Sequence, residues 1–343
     1  MNTTNERPDV EDYFDDWKQR EALVQEMIPV IGKLFNRQNI GIYIYGRPLH
    51  NRSVTFIMKS HRFVRQVERN EMSEFESHPV LLAMAKLDLC HANIDLGKLT
   101  VRFMEHQEAA GHEAKDVDSF VAEELSYLVG NQQSPIAKSQ DVVLYGFGRI
   151  GRLMARLLIE RTSTGEAMRL RAVVIRPGGE GDLNKRASLF TNDSVHGAFQ
   201  GTLRVDEKRN CLIANGNVIQ VIYANSPDKI DYTEYGIEDA LIIDNTGKWR
   251  DEEGLGLHLK SKGAGKVLLT APGKGALKNI VYGINDHEMH PEDKILTAAS
   301  CTTNAIAPVL KVVNDEFGIN RGHIETVHAY TNDQNLIDNY HKG

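Results

Sequence analysis

Cysteine is scarce in this chain. Only Cys90, Cys211 and Cys301 occur, too few and too scattered for a disulfide framework or a paired-cysteine metal site. A reducing cytoplasm is the simplest home for such a sequence, and no metal is expected. Positive charge is also in short supply: 40 Lys and Arg stand against 47 Asp and Glu, a formal net charge of -7. That balance argues against nucleic acid or an anionic membrane as the main partner, since both reward a basic surface. Pockets for small phosphates remain compatible with it. No apolar run approaches the roughly 20 residues of a membrane span. The start Met-Asn-Thr-Thr, turning acidic within a dozen residues, lacks the basic-then-apolar pattern of a secretion signal. What is present is the balance of a soluble globular chain: 343 residues, 41% hydrophobic and 25% charged, enough to bury two or three cores.

The chain changes character once. Residues 11 to about 130 read as mostly helical, with Leu23, Met27, Val30, Ile31 and Leu34 on one face and a second helical stretch over 78–106. Between these, residues 40–46 read as a short strand or turn that Arg47-Pro48 ends. The segment Gly130-Asn131-Gln132-Gln133-Ser134-Pro135 has linker composition. Beyond it, short apolar strands (142–145, 172–175, 240–244, 266–270 and 295–298) alternate with helical segments. This is the pattern of a parallel α/β sheet of the Rossmann type. The expected domains are a mainly helical extension over 1–138, a nucleotide-binding Rossmann domain over 139–299, and the start of an α+β domain over 300–343.

Ligands of such sheets bind at the carboxyl ends of the strands. Directly after the first strand comes Gly146-Phe147-Gly148-Arg149-Ile150-Gly151, and a helix with Ile150, Leu153, Met154, Leu157 and Leu158 on one face follows at once. Strand before and helix after are the context that gives GxGxxG its meaning. Gly146 permits the tight turn, Gly148 lets a pyrophosphate approach, and Gly151 lets helix and strand pack closely. The amides of Arg149 and Ile150 at the helix start are candidate phosphate donors. A carboxylate for the ribose hydroxyls is expected about 20 residues on. The second strand ends instead in Arg176-Pro177-Gly178-Gly179. Arg176 either pairs with a 2′-phosphate, favouring NADP or dual use, or points to solvent with Glu180 or the helical extension serving NAD.

After the last strand, Ser300 is suited to cap a helix carrying Ile306, Val309, Leu310, Val313 and Phe317, ended by Gly318. Cys301 then sits in the first turn, where the helix dipole stabilises a thiolate. Pro308 inside that helix is awkward. A strand expected over 324–327 carries His328 at its end, a candidate base for the thiol. Asp333 and Asp338 are alternative acids. A lone cysteine or histidine is more often structural, so these two matter only together.

The landmarks at 145–152 (Tyr-Gly-Phe-Gly-Arg-Ile-Gly-Arg), 193–197 (Asp-Ser-Val-His-Gly), 245–247 (Asn-Thr-Gly), 299–304 (Ala-Ser-Cys-Thr-Thr-Asn) and 326–334 resemble, in order and spacing, those of the glyceraldehyde-3-phosphate dehydrogenase family. The resemblance covers roughly 140–343, like a bacterial form with a long N-terminal extension. It implies that Cys301 attacks the aldehyde of glyceraldehyde 3-phosphate, that hydride passes to NAD or NADP, and that inorganic phosphate cleaves the thioester. It further implies His328 as base, Ser300 and Thr302 around the inorganic phosphate, Thr331 on the substrate phosphate, and Thr246 and Gly247 along the cofactor. A cytoplasmic homotetramer follows from the same resemblance. Two departures concern specificity: Arg176-Pro177 replaces an Asn-Asp pair, and Asp333 stands where many members have threonine, a variant similar to gluconeogenic and erythrose-4-phosphate dehydrogenases, so that the resemblance implies glycolysis or gluconeogenesis. The chain is also expected to stop inside the catalytic domain, so that residues 1–343 alone lack activity. A nucleotide-binding regulatory protein with vestigial chemistry is the reading from another class, which an intact Cys301 and His328 disfavour.

Overall fold

Val24, Met27, Ile31 and Leu34 recur at spacings of three and four, which puts them on one face of α1 (Tyr13–Gln38). That face is buried. The computed structural model describes residues 13–68, 72–130, 139–161, 168–179 and 181–328. The chain divides into two compact units, 1–138 and 139–343.

The first unit is mainly helical. After α1 come the strands β1 (Ile40–Ile44) and β2 (Arg47–Pro48), an antiparallel pair turned by Tyr45 and Gly46, both at positive φ. Arg47-Pro48 therefore folds back on β1 instead of merely ending it. α2 (Val54–Val67) and α3 (Glu74–Met84) follow, then β3 (Ala92–Asp95), α4 (Leu96–Ala110) and α5 (Val117–Glu124). The helix expected over 78–106 is thus two helices with a strand between them. β3 pairs parallel with β1, and the β-bonding of Ala92–Asp95 overrides a helical spacing that runs on through it. Asp95 closes the strand and caps α4, accepting from the Lys98 amide. One core joins the helices to the strands, with Val24, Met27, Ile40, Ile42, Ile57, Leu81 and Leu96 at its centre.

The second unit opens with β4 (Gln140–Tyr145), α6 (Arg149–Arg161), β5 (Met168–Ile175) and α7 (Asp182–Thr191). A short ribbon, β6 (Asn192–Asp193) with β7 (Gly197–Ala198), leads into β8 (Leu203–Asp206), β9 (Cys211–Ala214) and β10 (Asn217–Tyr223). β11 (Ala240–Asp244), α8 (Glu252–Gly256), β12 (Ala264–Leu269), β13 (Ile295–Thr297) and α9 (Cys301–Phe317) complete it. The main sheet has the order β13-β12-β11-β4-β5-β10-β9-β8. The six strands from β13 to β10 run parallel, and β9 and β8 are antiparallel additions. The chain leaves β4 in one direction through β5 and β10, then returns to the other side of β4 with β11. That reversal opens a crevice at the carboxyl ends of β4 and β11, where doubly wound sheets bind ligands. The fold is therefore a Rossmann-type α/β sheet preceded by a mainly helical unit.

Two further expectations are corrected. The buried face of α6 holds Ala155, Leu158 and Ile159, whereas Ile150 and Leu157 are exposed. Hydropathy misplaces the face because Arg152 and Arg156 share it. Both guanidinium groups are buried, and they donate to backbone carbonyls: Arg152 to Phe147, Arg156 to Phe190 and Gly197. Residues 324–327 form no strand; the segment 318–328 is without a ladder partner among the described residues.

Candidate active site

Gly146 follows β4 in a conformation with φ of +93°, open to glycine and costly for other residues. A Cβ there would meet Thr246 Cγ2 at 2.8 Å. A Cβ on Gly151 would lie 2.2 Å from the Gly146 carbonyl oxygen, so the helix can pass the loop only as glycine. The Gly146 amide donates to Val174 O, and Gly148 O accepts from the Arg152 amide at 2.9 Å, which starts α6 directly behind the loop. These contacts make a cradle of bare backbone at a helix start, with its dipole, at the switch point of the sheet; a pyrophosphate fits it.

Arg149 has a side-chain duty besides its amide. Its buried Nε lies 3.4 Å from Asp193 Oδ2. Asp193 also accepts from the amides of Val195 and His196, at 3.0 and 2.8 Å. Burial pushes this carboxyl up, but the His196 and Val195 hydrogen bonds and the Arg149 charge outweigh it and hold it at about 2. Ile150 is exposed, its amide at the helix start and its side chain away from the core.

Across the crevice, Thr246 and Gly247 follow β11. The Asn245 amide donates to Tyr145 O at 2.8 Å, which ties this turn to the end of β4. Gly247 has φ of +62°, and its carbonyl accepts from Arg250 Nε at 2.8 Å. Arg176 is exposed at the end of β5, close enough to Tyr145 for its charge to act on the phenol. A carboxylate does stand near that corner: Asp182 packs beneath Gly178, is buried, and pairs with Arg186 at 2.9 Å. It is not apparent from the sequence because it opens α7 instead of ending the strand. Glu180 lies outside the described residues.

The thiol site is built at the start of α9. Ala299 takes φ of +56°, a strained value for a residue with a Cβ. Ser300 then caps the helix, its hydroxyl accepting from the Thr303 amide at 2.9 Å. Asn304 Nδ2 donates back to Ala298 O and Ser300 O, which fixes the turn that presents the thiol. Cys301 Sγ lies 3.1 Å from His328 Nε2. The His328 hydrogen bond is the largest influence on the thiol and lowers its pKa; slight burial opposes it, and the Thr302 hydroxyl and amide lower it further. Helix α9 runs through Pro308 to Phe317 and leaves Val309, Val312, Val313 and Phe317 exposed. Thr331, Asp333 and Asp338 lie outside the described residues.

Fold and site together define a class: Rossmann-type nucleotide-binding proteins that carry a cysteine and a histidine in hydrogen-bond contact. Comparison with known proteins narrows this. Residues 140–252 match the family description "Glyceraldehyde 3-phosphate dehydrogenase, NAD binding domain", and residues 300–343 match "Glyceraldehyde 3-phosphate dehydrogenase, C-terminal domain". A glyceraldehyde-3-phosphate dehydrogenase-like protein of Pseudomonas aeruginosa is 58% identical over 319 residues, 92% of this chain and 68% of that protein. The glyceraldehyde-3-phosphate dehydrogenase of Thermotoga maritima is 40% identical over 201 residues, 59% of this chain and 57% of that one. The chloroplastic enzyme A of Zea mays is 37% identical over 213 residues, 62% of this chain and 51% of its own. The chain belongs to the glyceraldehyde-3-phosphate dehydrogenase family, and its cofactor is a nicotinamide dinucleotide, NAD or NADP. It spans little more than half the length of the latter two relatives. The Pseudomonas alignment is longer than the second unit, so that likeness reaches into the helical unit.

Proposed function

We propose that this protein oxidises glyceraldehyde 3-phosphate with NAD(P) and inorganic phosphate, through a thioester on Cys301. The observation that carries the reading is the 3.1 Å contact between Cys301 Sγ, at a capped helix start, and His328 Nε2. In this reading Gly146, Gly148, Arg149, Ile150, Gly151, Thr246 and Gly247 hold the dinucleotide, which when bound supplies the hydride acceptor. Cys301 adds its sulfur to the aldehyde carbon while His328 takes the thiol proton and returns it to the carbonyl oxygen, giving a hemithioacetal and leaving His328 free again as a base. His328 then serves the hemithioacetal hydroxyl, removing its proton as the carbon is oxidised to the thioester. Ser300 and Thr302 bind inorganic phosphate, whose oxygen attacks the acyl carbon; the C–S bond breaks, the thiolate leaves, and an acyl phosphate is released. Thr331 is assigned to the substrate phosphate. A homotetramer in the reducing cytoplasm, where the thiol stays free, completes the proposal; no helix of the described residues is long and apolar enough to cross a membrane.

The decisive experiment is Cys301→Ser in the whole protein. A serine hydroxyl keeps its proton where a thiol is activated, so oxidation should vanish while NAD(P) still binds; near-normal turnover would reject the nucleophile. Asp333 favours a second substrate, erythrose 4-phosphate, oxidised without phosphate incorporation. Turnover that is indifferent to inorganic phosphate would select that alternative.

A further inference from the structure

Asp244 ends β11 beside the crevice and is fully buried. A buried carboxylate is costly unless hydrogen bonds satisfy it. Its Oδ1 accepts from both the amide and the hydroxyl of Thr246, each at 2.7 Å. Its Oδ2 meets the Nε2 of His258 at 3.0 Å, and His258 too is fully buried. His258 arrives from the segment after α8 and is wedged edge-on against Tyr145 and Trp249, with centroids 4.7 and 6.0 Å away. Its Nδ1 has no hydrogen-bond partner among the described residues. The ring therefore has one polar contact there, and that contact is Asp244.

The effect of the pair is felt at the crevice. Thr246 is exposed, and its Cγ2 stands where only a glycine at 146 leaves room. Holding Asp244 by Oδ2 aims Oδ1 at Thr246, and Thr246 then holds its place against the glycine loop. The Thr246 hydroxyl passes the restraint on by accepting from the Lys248 amide at 3.1 Å. We infer that His258 is a positioning residue of the cofactor site: through Asp244 it sets the Thr246–Gly247 loop in the geometry that receives the dinucleotide. The inference rests on the reading of Thr246 and Gly247 as cofactor contacts.

The test is calorimetric titration of the protein with NAD for His258→Leu, His258→Gln, Thr246→Val and the Leu–Val double variant. Gln keeps an N–H near the position of Nε2; Leu removes it. Losing a hydrogen bond to a charged acceptor corresponds to about tenfold or more in affinity. The leucine variant should raise the NAD Kd by about that factor with unchanged stoichiometry, because general damage would lower the fraction of competent sites instead. The glutamine variant should stay within about twofold. The double variant should bind no more weakly than the worse single one, since both changes act on one chain of contacts. If the leucine protein does not fold, His258→Asn, whose amide falls short of Asp244, carries the same expectation. A Kd unmoved by the loss of His258 while Thr246→Val weakens binding overturns the inference, as do additive effects or failure of glutamine to rescue. A Kd unmoved by Thr246→Val overturns the underlying reading of the loop as well, so the two failures are distinct.

Discussion

A thiol attacks only as thiolate, so what the site needs is ionisation of Cys301 near neutral pH. His328, the largest influence, lowers the thiol's pKa. Lowering the pKa raises the thiolate fraction at any pH below that of a free thiol, about 8.5. Alkylation of Cys301 by iodoacetamide should therefore rise with pH through an inflection below the free-thiol value. In His328→Ala the inflection should move up and the neutral-pH rate should fall; an unmoved profile would make the 3.1 Å contact incidental. The cofactor's ribose end poses a second question at this scale. Arg176 is exposed at the end of β5, and the nearby Asp182 is neutralised by Arg186, so no free carboxylate repels a 2′-phosphate among these described residues. Significant use of NADP should follow, and Arg176→Asp should shift the kcat/KM ratio toward NAD by about tenfold or more. A wild type that ignores NADP, or a ratio indifferent to the substitution, removes Arg176 from that role.

Among the elements, the junction of β4 and α6 has the least room for change. Gly151→Ala puts a methyl group 2.2 Å from a backbone oxygen that cannot rotate away, so the loop itself must open. The expected cost is about 1–3 kcal/mol of stability together with at least a tenfold loss of dinucleotide affinity, read by chemical denaturation and calorimetry. Gly256 is the control: it lies in α8, a Cβ there meets nothing within 4 Å, and its φ is ordinary. Gly256→Ala should leave binding alone and hold or slightly raise stability. Equal effects at the two positions would mean that Gly151 is not a point of close approach. The α6 face shows how an element can be legible in kind but not in orientation. Its helical period is plain in the sequence, yet Arg152 and Arg156 occupy the core side, because the carbonyls of Phe147, Phe190 and Gly197 are there to receive them.

At the level of the whole molecule, each hydrophobic cluster among the described residues belongs to one unit: the one around Val24, Ile42 and Leu81 contains only residues of the first unit, and the three others only residues of the second. A unit with its own core has the means to fold alone. Residues 1–138 expressed separately should give a monomeric, helix-rich circular dichroism spectrum and one cooperative thermal transition. A non-cooperative melt would show that its stability depends on the rest of the chain.

The sequence by itself determined the parallel sheet, the glycine loop with the helix behind it, and the capped thiol, because each is written in contiguous residues: an apolar run, a turn, then a periodic helix. It left out β10, the sixth parallel strand, the four-residue strands β8 and β9 that extend the sheet beyond it, and the strand β3, whose helical spacing only its pairing with β1 overrides. Tertiary structure alone decided the contact of Cys301 with His328, the Asp193–Arg149 pair and the buried Asp244–His258 pair. That Asp244 ends an apolar run was visible in the sequence, though nothing there marked it out. Its partner, fourteen positions on, was not, since no local spacing rule relates a strand terminus to a ring beyond the next helix; only the packing of that helix against the sheet brings them together.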